Sequence, residues 1–472
     1  MSRSPLGITD DVVRTLAVAE AVCVRPLMRR VTDRATGAVT TVAIACGSTR
    51  DAKCPSCAVK ARRLRMTQCA EGWHADVEPV PMDGRRPTDA PAEQDEELGD
   101  CEGAGRQTRS TRRRSDVPDL PTRPVENRTV GQVFAAPDGK TYRPSMFVTV
   151  TLPSYGKVKP FTGVPVNRAA YDYDRAALDA LHFSKLVDRW VQNLRRCAGY
   201  KVQYFGAVEA QRRLAPHFHV AIRGAIPRAT VRAVTRATYF QLWWPPMDRP
   251  VYVHRIPIWD GERYRDPDTG LALPTWKQAI AALDDDPDAR PAHVMRLGQQ
   301  VDIKGLIAGT PDSDRAVRYL TKYLTKAVAE TYADEDGTDP AYESHIDRLH
   351  EQVRWLPCSE ECANWLRFGV EPRNAGPGLM PGWCPSKAHD REHLGVGGRR
   401  VLVSRSWSGK TLTEHKADRA AVVRAALEAA GIAPLLRTGW RRRRSTRTGD
   451  LASSGLTCRS APSTTRGSSW PP

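Results

Sequence analysis

Apolar side chains and threonines alternate along Met146-Phe-Val-Thr-Val-Thr-Leu152, and that two-residue period predicts a half-buried strand. The period then lengthens. Ala177, Leu178, Leu181, Leu186, Val187, Trp190 and Leu194 recur at helical spacing between 174 and 197, which predicts a long amphipathic helix stopped by Gly199. Strands are expected again over Lys201–Glu209 and His217–Ile222, joined by a turn containing Gln211-Arg-Arg213, and another helix after Pro227. Gln300–Lys304 reads as a strand. A helix capped by Ser313 or Asp312 is expected to continue to about Tyr332, with Tyr319 and Tyr323 in its second and third turns. Between 241 and 300, Trp243, Trp244, Trp259 and Trp276 stand among prolines and acidic residues, the mark of an insertion with its own packing.

These periods divide the chain. Residues 1–75 form an N-terminal zinc-binding module, and 76–130 turn Pro-, acid- and then Arg-rich with almost no apolar period, as a disordered linker does. The main α+β core spans 140–335, with the insertion at about 241–300. A C-terminal zinc-binding and DNA-contact region spans 340–432, and a basic tail over 433–472, containing Arg441–Arg444, lacks apolar period and is expected to be disordered. Repeats of solenoid length are absent.

With 472 residues and 40% hydrophobic content, the chain is long enough for several domains and a large core. Its formal charge of +17 favours a polyanionic partner, nucleic acid before a membrane surface. No apolar run of about 18 residues occurs and Met1–Asp11 does not read as a secretory signal, so a cytoplasmic protein without membrane contact is expected. Eleven cysteines in a chain of this kind suggest metal rather than disulfides. Cys54-x2-Cys57 is half of a four-thiolate zinc site that Cys46 and Cys23 would complete, with Cys69 and His74 as alternatives to Cys23. Cys358-x3-Cys362 with Cys384-x4-His389 makes a second, with His393 as an alternative to His389. Both would be structural, because closed four-ligand sites leave no open position.

The catalytic candidates lie in the core. On a strand, His217 and His219 of Pro216-His-Phe-His-Val220 point to one face. Two imidazoles and a third donor, for which Glu209 is the candidate with Gln211 behind it, suit a divalent ion such as Mg²⁺ or Mn²⁺ acting as a Lewis acid on phosphate. Tyr319 and Tyr323, four apart, would stack on one helix face and supply phenolic nucleophiles, with Lys322 and Lys326 to neutralise phosphate or lower the phenol pKa. Either motif alone is more often simple packing. Their conjunction points to DNA nicking. Arg212, Arg213, Arg399 and Arg400 are candidate DNA contacts.

Phe147-Val-Thr-Val-Thr-Leu152, Pro216-His-Phe-His219 and Arg318-Tyr-Leu-Thr-Lys-Tyr-Leu-Thr-Lys326, with further similarity from about 140 to 432 that includes Val403-Ser-Arg-Ser-Trp-Ser-Gly-Lys-Thr411, resemble actinobacterial plasmid and integrative-element replication initiators of the His-hydrophobe-His endonuclease superfamily. The resemblance implies a ferredoxin-like core: a central antiparallel sheet flanked by helices, with the His pair on a middle strand facing the tyrosine helix. It also implies rolling-circle replication, in which one strand of an origin is nicked through a 5′-phosphotyrosine link, later rejoined, and host helicase and polymerase take over. Arg315 stands where single-tyrosine members carry a carboxylate, so the chain resembles the two-tyrosine type, whose phenols alternate. The same chemistry would serve a mobilisation relaxase or a single-strand transposase. A non-catalytic zinc DNA-binding regulator is the contrasting reading.

Overall fold

In the computed structural model, residues 10–32, 37–73, 114–130, 134–135, 137, 139, 141–329, 339–397 and 400–431 are described. The elements run α1 (Asp10–Ala19), β1 (Leu27–Thr32), β2 (Val39–Ile44), α2 (Pro55–Trp73), β3 (Pro144–Val150), α3 (Tyr173–Ala198), β4 (Tyr204–Ala210), β5 (Pro216–Arg223), α4 (Arg228–Ala237), β6 (Tyr239–Leu242), α5 (Trp276–Asp285), β7 (His293–Arg296), β8 (Val301–Ile307), α6 (Pro311–Leu320), α7 (Pro340–Trp355), β9 (Val401–Val403) and α8 (Leu412–Ala429). Two compact units divide the chain, Met1–Asp418 and Arg419–Pro472. No helix among the described residues is long and apolar enough to cross a membrane.

A five-stranded sheet of order β8-β3-β5-β4-β9, antiparallel throughout, lies at the centre of the first unit. Because successive side chains point to opposite faces, each strand supplies two cores. Met146, Val148, Val150, Tyr204, Val208, Phe218, Val220 and Ile222 pack with Leu186, Val187, Trp190 and Leu194 of α3. The intervening residues Phe147, Phe205, Ala207 and Ala221 face the other way and pack with Val317 and Leu320 of α6, Cys69 and Trp73 of α2, and Trp407. The apolar stripe read between 174 and 197 is thus the buried face of α3. Its start is fixed by the Asp172 carboxylate accepting from the Arg175 N–H at 3.0 Å, and its end by Gly199 in the left-handed region.

Gly206 sits where this packing is tightest. A Cβ there would fall 2.2 Å from Cζ of Phe218 on the neighbouring strand. Gly206→Ala is expected to lower unfolding stability by about 1–3 kcal/mol in a denaturant titration, and an unaltered midpoint would show that the ring can move aside.

Four expectations are corrected. The segment 241–300 does not pack by itself: Leu242, Met247, Trp276 and Ile280 share a core with Cys362, Trp365, Phe368 and Val370, and Trp244 packs against it. The short two-stranded ribbons of this segment, Ile258–Trp259 with Tyr264–Arg265 and Tyr239–Leu242 with His293–Arg296, leave Trp244 and Trp276 to pack on Trp365 in the Cys/His region. The linker ends earlier than expected. Residues 114–130 are placed on the core, with Val117 and Thr129 buried, the Arg123 N–H donating to the Arg196 carbonyl, and Glu126 bridged to Tyr200; residues 76–113 and the tail 433–472 lie outside the described residues. The cap of α6 is Thr310, not Ser313 or Asp312: Thr310 accepts from the Ser313 N–H, Ser313 accepts from the Thr310 N–H, and Pro311 occupies the first turn, where its missing N–H costs nothing.

Finally, α6 stops at Leu320 instead of continuing towards Tyr332. The Thr321 hydroxyl donates back to the Val317 carbonyl at 3.0 Å, competing with the helical pattern. Tight turns follow, in which Lys322 N–H donates to the Tyr319 carbonyl and Lys326 N–H to that of Tyr323. Tyr319 therefore sits in the last turn of the helix, while Lys322, Tyr323 and Lys326 lie beyond it.

Candidate functional site

Sheet register assembles the site. Glu209 on β4 pairs directly with His217 on β5, and His219 is flanked by Ala207 on β4 and Thr149 on β3, which in turn pairs with Asp302 on β8. Directly opposed residues share a face, so Glu209, His217, His219, Thr149 and Asp302 all project towards α6. Glu209, His217 and His219 are buried, and one donor atom from each lies within 4.8 Å of the others.

The two Nε2 atoms approach to 2.7 Å, and Glu209 Oε2 lies 3.7 Å from Nε2 of His219. Thr149 Oγ1 is 2.8 Å from Nδ1 of His219. With a proton on that Nδ1, donated to the threonine oxygen, the Nε2 lone pair turns towards the partner histidine and the carboxylate. Burial holds His217 down to about 3, with neighbouring His219 adding to the effect, and holds His219 down to about 4, so both rings are neutral at ordinary pH. Burial also pushes Glu209 up to about 7, against the opposing charges of Arg400 and Lys322. Its Oε1 is buried without a hydrogen-bond partner. Neutral imidazole lone pairs crowded together beside an unsatisfied carboxylate oxygen form a donor set that a divalent cation fits.

Tyr319 closes this group from the helix side. Its hydroxyl is 3.4 Å from Nε2 of His219, and its ring meets those of His219 and Phe147 edge-on. The residue is 44% exposed. Burial and then the Glu209 charge raise its pKa, so the phenol keeps its proton in the resting protein. Tyr323 is placed differently: Lys322 Nζ lies 4.8 Å over its ring, and both Lys322 and Lys326 are exposed.

Two further groups could hold a metal such as zinc. Cys23, Cys46, Cys54 and Cys57 come together with Sγ–Sγ separations of 3.7 Å for Cys46–Cys57 and 3.8 Å for Cys23–Cys54. Four sulfurs about 2.3 Å from a central ion stand about 3.8 Å apart. Cys69 is instead buried in the core beside Trp73, and His74 lies outside the described residues. In the second group Cys358 and Cys384 are 3.9 Å apart, and Cys362 Sγ is 3.5 Å from His389 Nε2. Nδ1 of His389 is 2.7 Å from the Val353 carbonyl, which fixes Nε2 as the free donor and selects His389 over His393. Protein stripped of loosely bound ions is expected to retain about two zinc ions per chain by elemental analysis; metal-free protein that is fully folded would discard both groups as metal sites.

Two of the four arginines expected on DNA are engaged elsewhere. Arg213 donates to the carbonyls of Leu152 and Pro153 and to the Gln211 side chain, and it stacks on Tyr155. It is a staple at the end of β3, and Gln211 is its partner rather than a ligand behind Glu209. Arg400 is buried, with Nε on the Val208 carbonyl and Nη1 on that of Lys326. Arg212 is exposed, and Arg399 lies outside the described residues. Sequence reasoning missed Thr149, Asp302 and the charge of Arg400 beside Glu209. The threonine alternation marked the strand, but only cross-strand register picks out Thr149.

A family model described as RepSA, replication initiator protein, pSAM2, matches residues 9–465. No curated protein and no solved structure matches the chain.

Proposed function

The chain belongs to the RepSA family of plasmid replication initiators, and we propose that it starts rolling-circle replication by nicking one strand of its origin with Tyr319. The observation that carries this reading is the Tyr319 hydroxyl, 3.4 Å from Nε2 of His219, beside a buried donor set of two neutral imidazoles and a carboxylate. In this reading the five-stranded sheet and its helices are a His-hydrophobe-His nuclease core, ferredoxin-like in class, and the two cysteine groups hold structural zinc.

Mg²⁺ or Mn²⁺ held by His217, His219 and Glu209 would draw charge from a non-bridging oxygen of the scissile phosphate. The Tyr319 oxygen attacks phosphorus in line as its proton passes to solvent. A Tyr319 Oη–P bond forms, the bond from phosphorus to the 3′ oxygen breaks, and that oxygen leaves as a hydroxyl after taking up a proton. The product is a 5′-phosphotyrosine with a free 3′ end for a host polymerase, after a host helicase has opened the duplex. Thr149 holds the His219 ring. The Glu209 charge opposes ionisation of Tyr319, and the charges of Arg400 and Lys322 favour the ionised form of that carboxylate.

Phosphotyrosine preserves the ester energy, so a second nucleophile can reverse the link. Tyr323, past the end of α6 and next to Lys322, takes the later cleavage that ends a round and rejoins the strand. The decisive assay incubates the protein with a labelled single-stranded origin oligonucleotide and Mn²⁺ or Mg²⁺ and resolves a covalent adduct on a denaturing gel. DNA binding without any adduct would leave a non-catalytic initiator and overturn the nicking step.

A further inference from the structure

The turns carrying Tyr323 contain backbone carbonyls that a continued helix would have satisfied from within. Here the donors come from far away in sequence. The Asp51 N–H donates to the Thr325 carbonyl at 3.0 Å, Arg50 Nη1 to the Lys326 carbonyl at 3.2 Å, and Arg400 Nη1 to the same oxygen at 2.6 Å. Two residues further on, the Val328 N–H donates to the Glu392 carbonyl at 2.9 Å.

Arg50 and Asp51 belong to the turn that links Cys46 to Cys54, two members of the first cysteine group. That turn is internally fixed: the Arg50 N–H donates to Ser48 Oγ, and the Cys54 N–H donates to the Arg50 carbonyl. The Arg50 side chain is only 12% exposed and its Nη2 lies 3.1 Å from Glu392 Oε2. One guanidinium thus ties the turn between two cysteines both to the segment after Tyr323 and to the stretch that follows His389.

We propose that Arg50 and Asp51 are positioning residues, and that metal at Cys23, Cys46, Cys54 and Cys57 sets the presentation of Tyr323 through them. A metal fixes the ends of the 47–53 turn; the turn in turn holds the Thr325 and Lys326 carbonyls, and these define the backbone on which Tyr323 and Lys326 stand. Tyr319, inside α6 and held by edge contacts with His219 and Phe147, does not depend on this tie. The proposal rests on the reading of Tyr323 as the second phenol only for its catalytic consequence, and its structural part stands apart from DNA cleavage.

The test uses the full chain. Amide hydrogen exchange is followed in peptides covering 321–329, 47–53 and α3 for the natural protein, Arg50→Ala, Arg50→Lys and protein titrated with a zinc chelator. Arg50→Ala is expected to speed exchange over 321–329 by about tenfold, the loss of one charge-assisted hydrogen bond, while α3 keeps its protection. Arg50→Lys, which can still donate to a carbonyl, should recover part of that protection. On chelation, 47–53 and 321–329 should lose protection together. With origin oligonucleotide, Arg50→Ala should leave the first adduct on Tyr319 near its natural level and slow the second cleavage, read by mass spectrometry as less phosphotyrosine at Tyr323 after a fresh strand is added. Native exchange over 321–329 in Arg50→Ala, or opening of 47–53 on chelation without 321–329, overturns the proposal; so does a rise that includes α3 equally, which makes Arg50 a general stability residue. Because exchange needs no DNA, a chain that forms no adduct refutes the nicking reading and leaves the exchange result to decide this one.

Discussion

Tyr319→Phe is expected to reduce the first covalent adduct with a single-stranded origin oligonucleotide by at least about a hundredfold, because the variant removes the attacking oxygen and nothing else of the ring. Tyr323→Phe is expected to leave that adduct near its natural level and to abolish the second cleavage, read as failure to transfer a bound strand to a fresh 3′ end. The asymmetry follows from position. Tyr319 is held by edge contacts with His219 and Phe147 in the last turn of α6, whereas Tyr323 stands on turns beyond it. From spacing alone the two phenols are interchangeable, and each single variant would then keep an adduct. An undiminished first adduct in Tyr319→Phe would remove Tyr319 from the initial cleavage.

Replacing both His217 and His219 with Ala should abolish cleavage, a loss of about a thousandfold or more for a reaction that depends on a bound cation, while origin binding measured by gel shift stays close to natural strength. Glu209→Gln keeps the shape of the third donor and removes its charge; it should need higher Mn²⁺ to reach the same nicking rate. Nicking that persists in the double histidine variant would reject the cation site. Loss of binding together with cleavage, accompanied by a lower unfolding midpoint, would assign the pair to the core of the sheet instead.

Local patterns carried much of this architecture. The stripe from Ala177 to Leu194 reports the buried face of α3, which forms where its period places it; the alternation at Met146–Leu152 marks a strand, but that strand ends at Val150 and is buried on both faces rather than one. His217 and His219, two apart on β5, needed only strand geometry to share a face. Glu209 was reachable because β4 and β5 are joined by a short turn, so the likeliest partner across it lies opposite the His pair. Thr149 was not reachable in this way, since the pairing of β3 with β5 joins residues 70 apart. The end of α6 was misread because Tyr-Leu-Thr-Lys repeated twice has helical spacing, while the backward hydrogen bond of Thr321 that ends it leaves no mark on periodicity. Charge was the poorest guide. Arg213 and Arg400 look like DNA contacts in the sequence, yet both serve backbone carbonyls, an outcome set by strand ends and turns that no composition reveals.

Trp365 is fully buried, with ring centroids 5.5 Å from Trp244 and 5.1 Å from Trp276. It follows Cys362 by three residues, and the core they share, against which Cys358 and Cys384 pack, includes Leu242, Met247, Trp276 and Ile280 of the segment 241–300. Excising that segment to obtain a smaller protein would strip two indoles from a third and wet the floor beneath Cys362. The two stretches share one core, and a minimal form of this initiator must retain both.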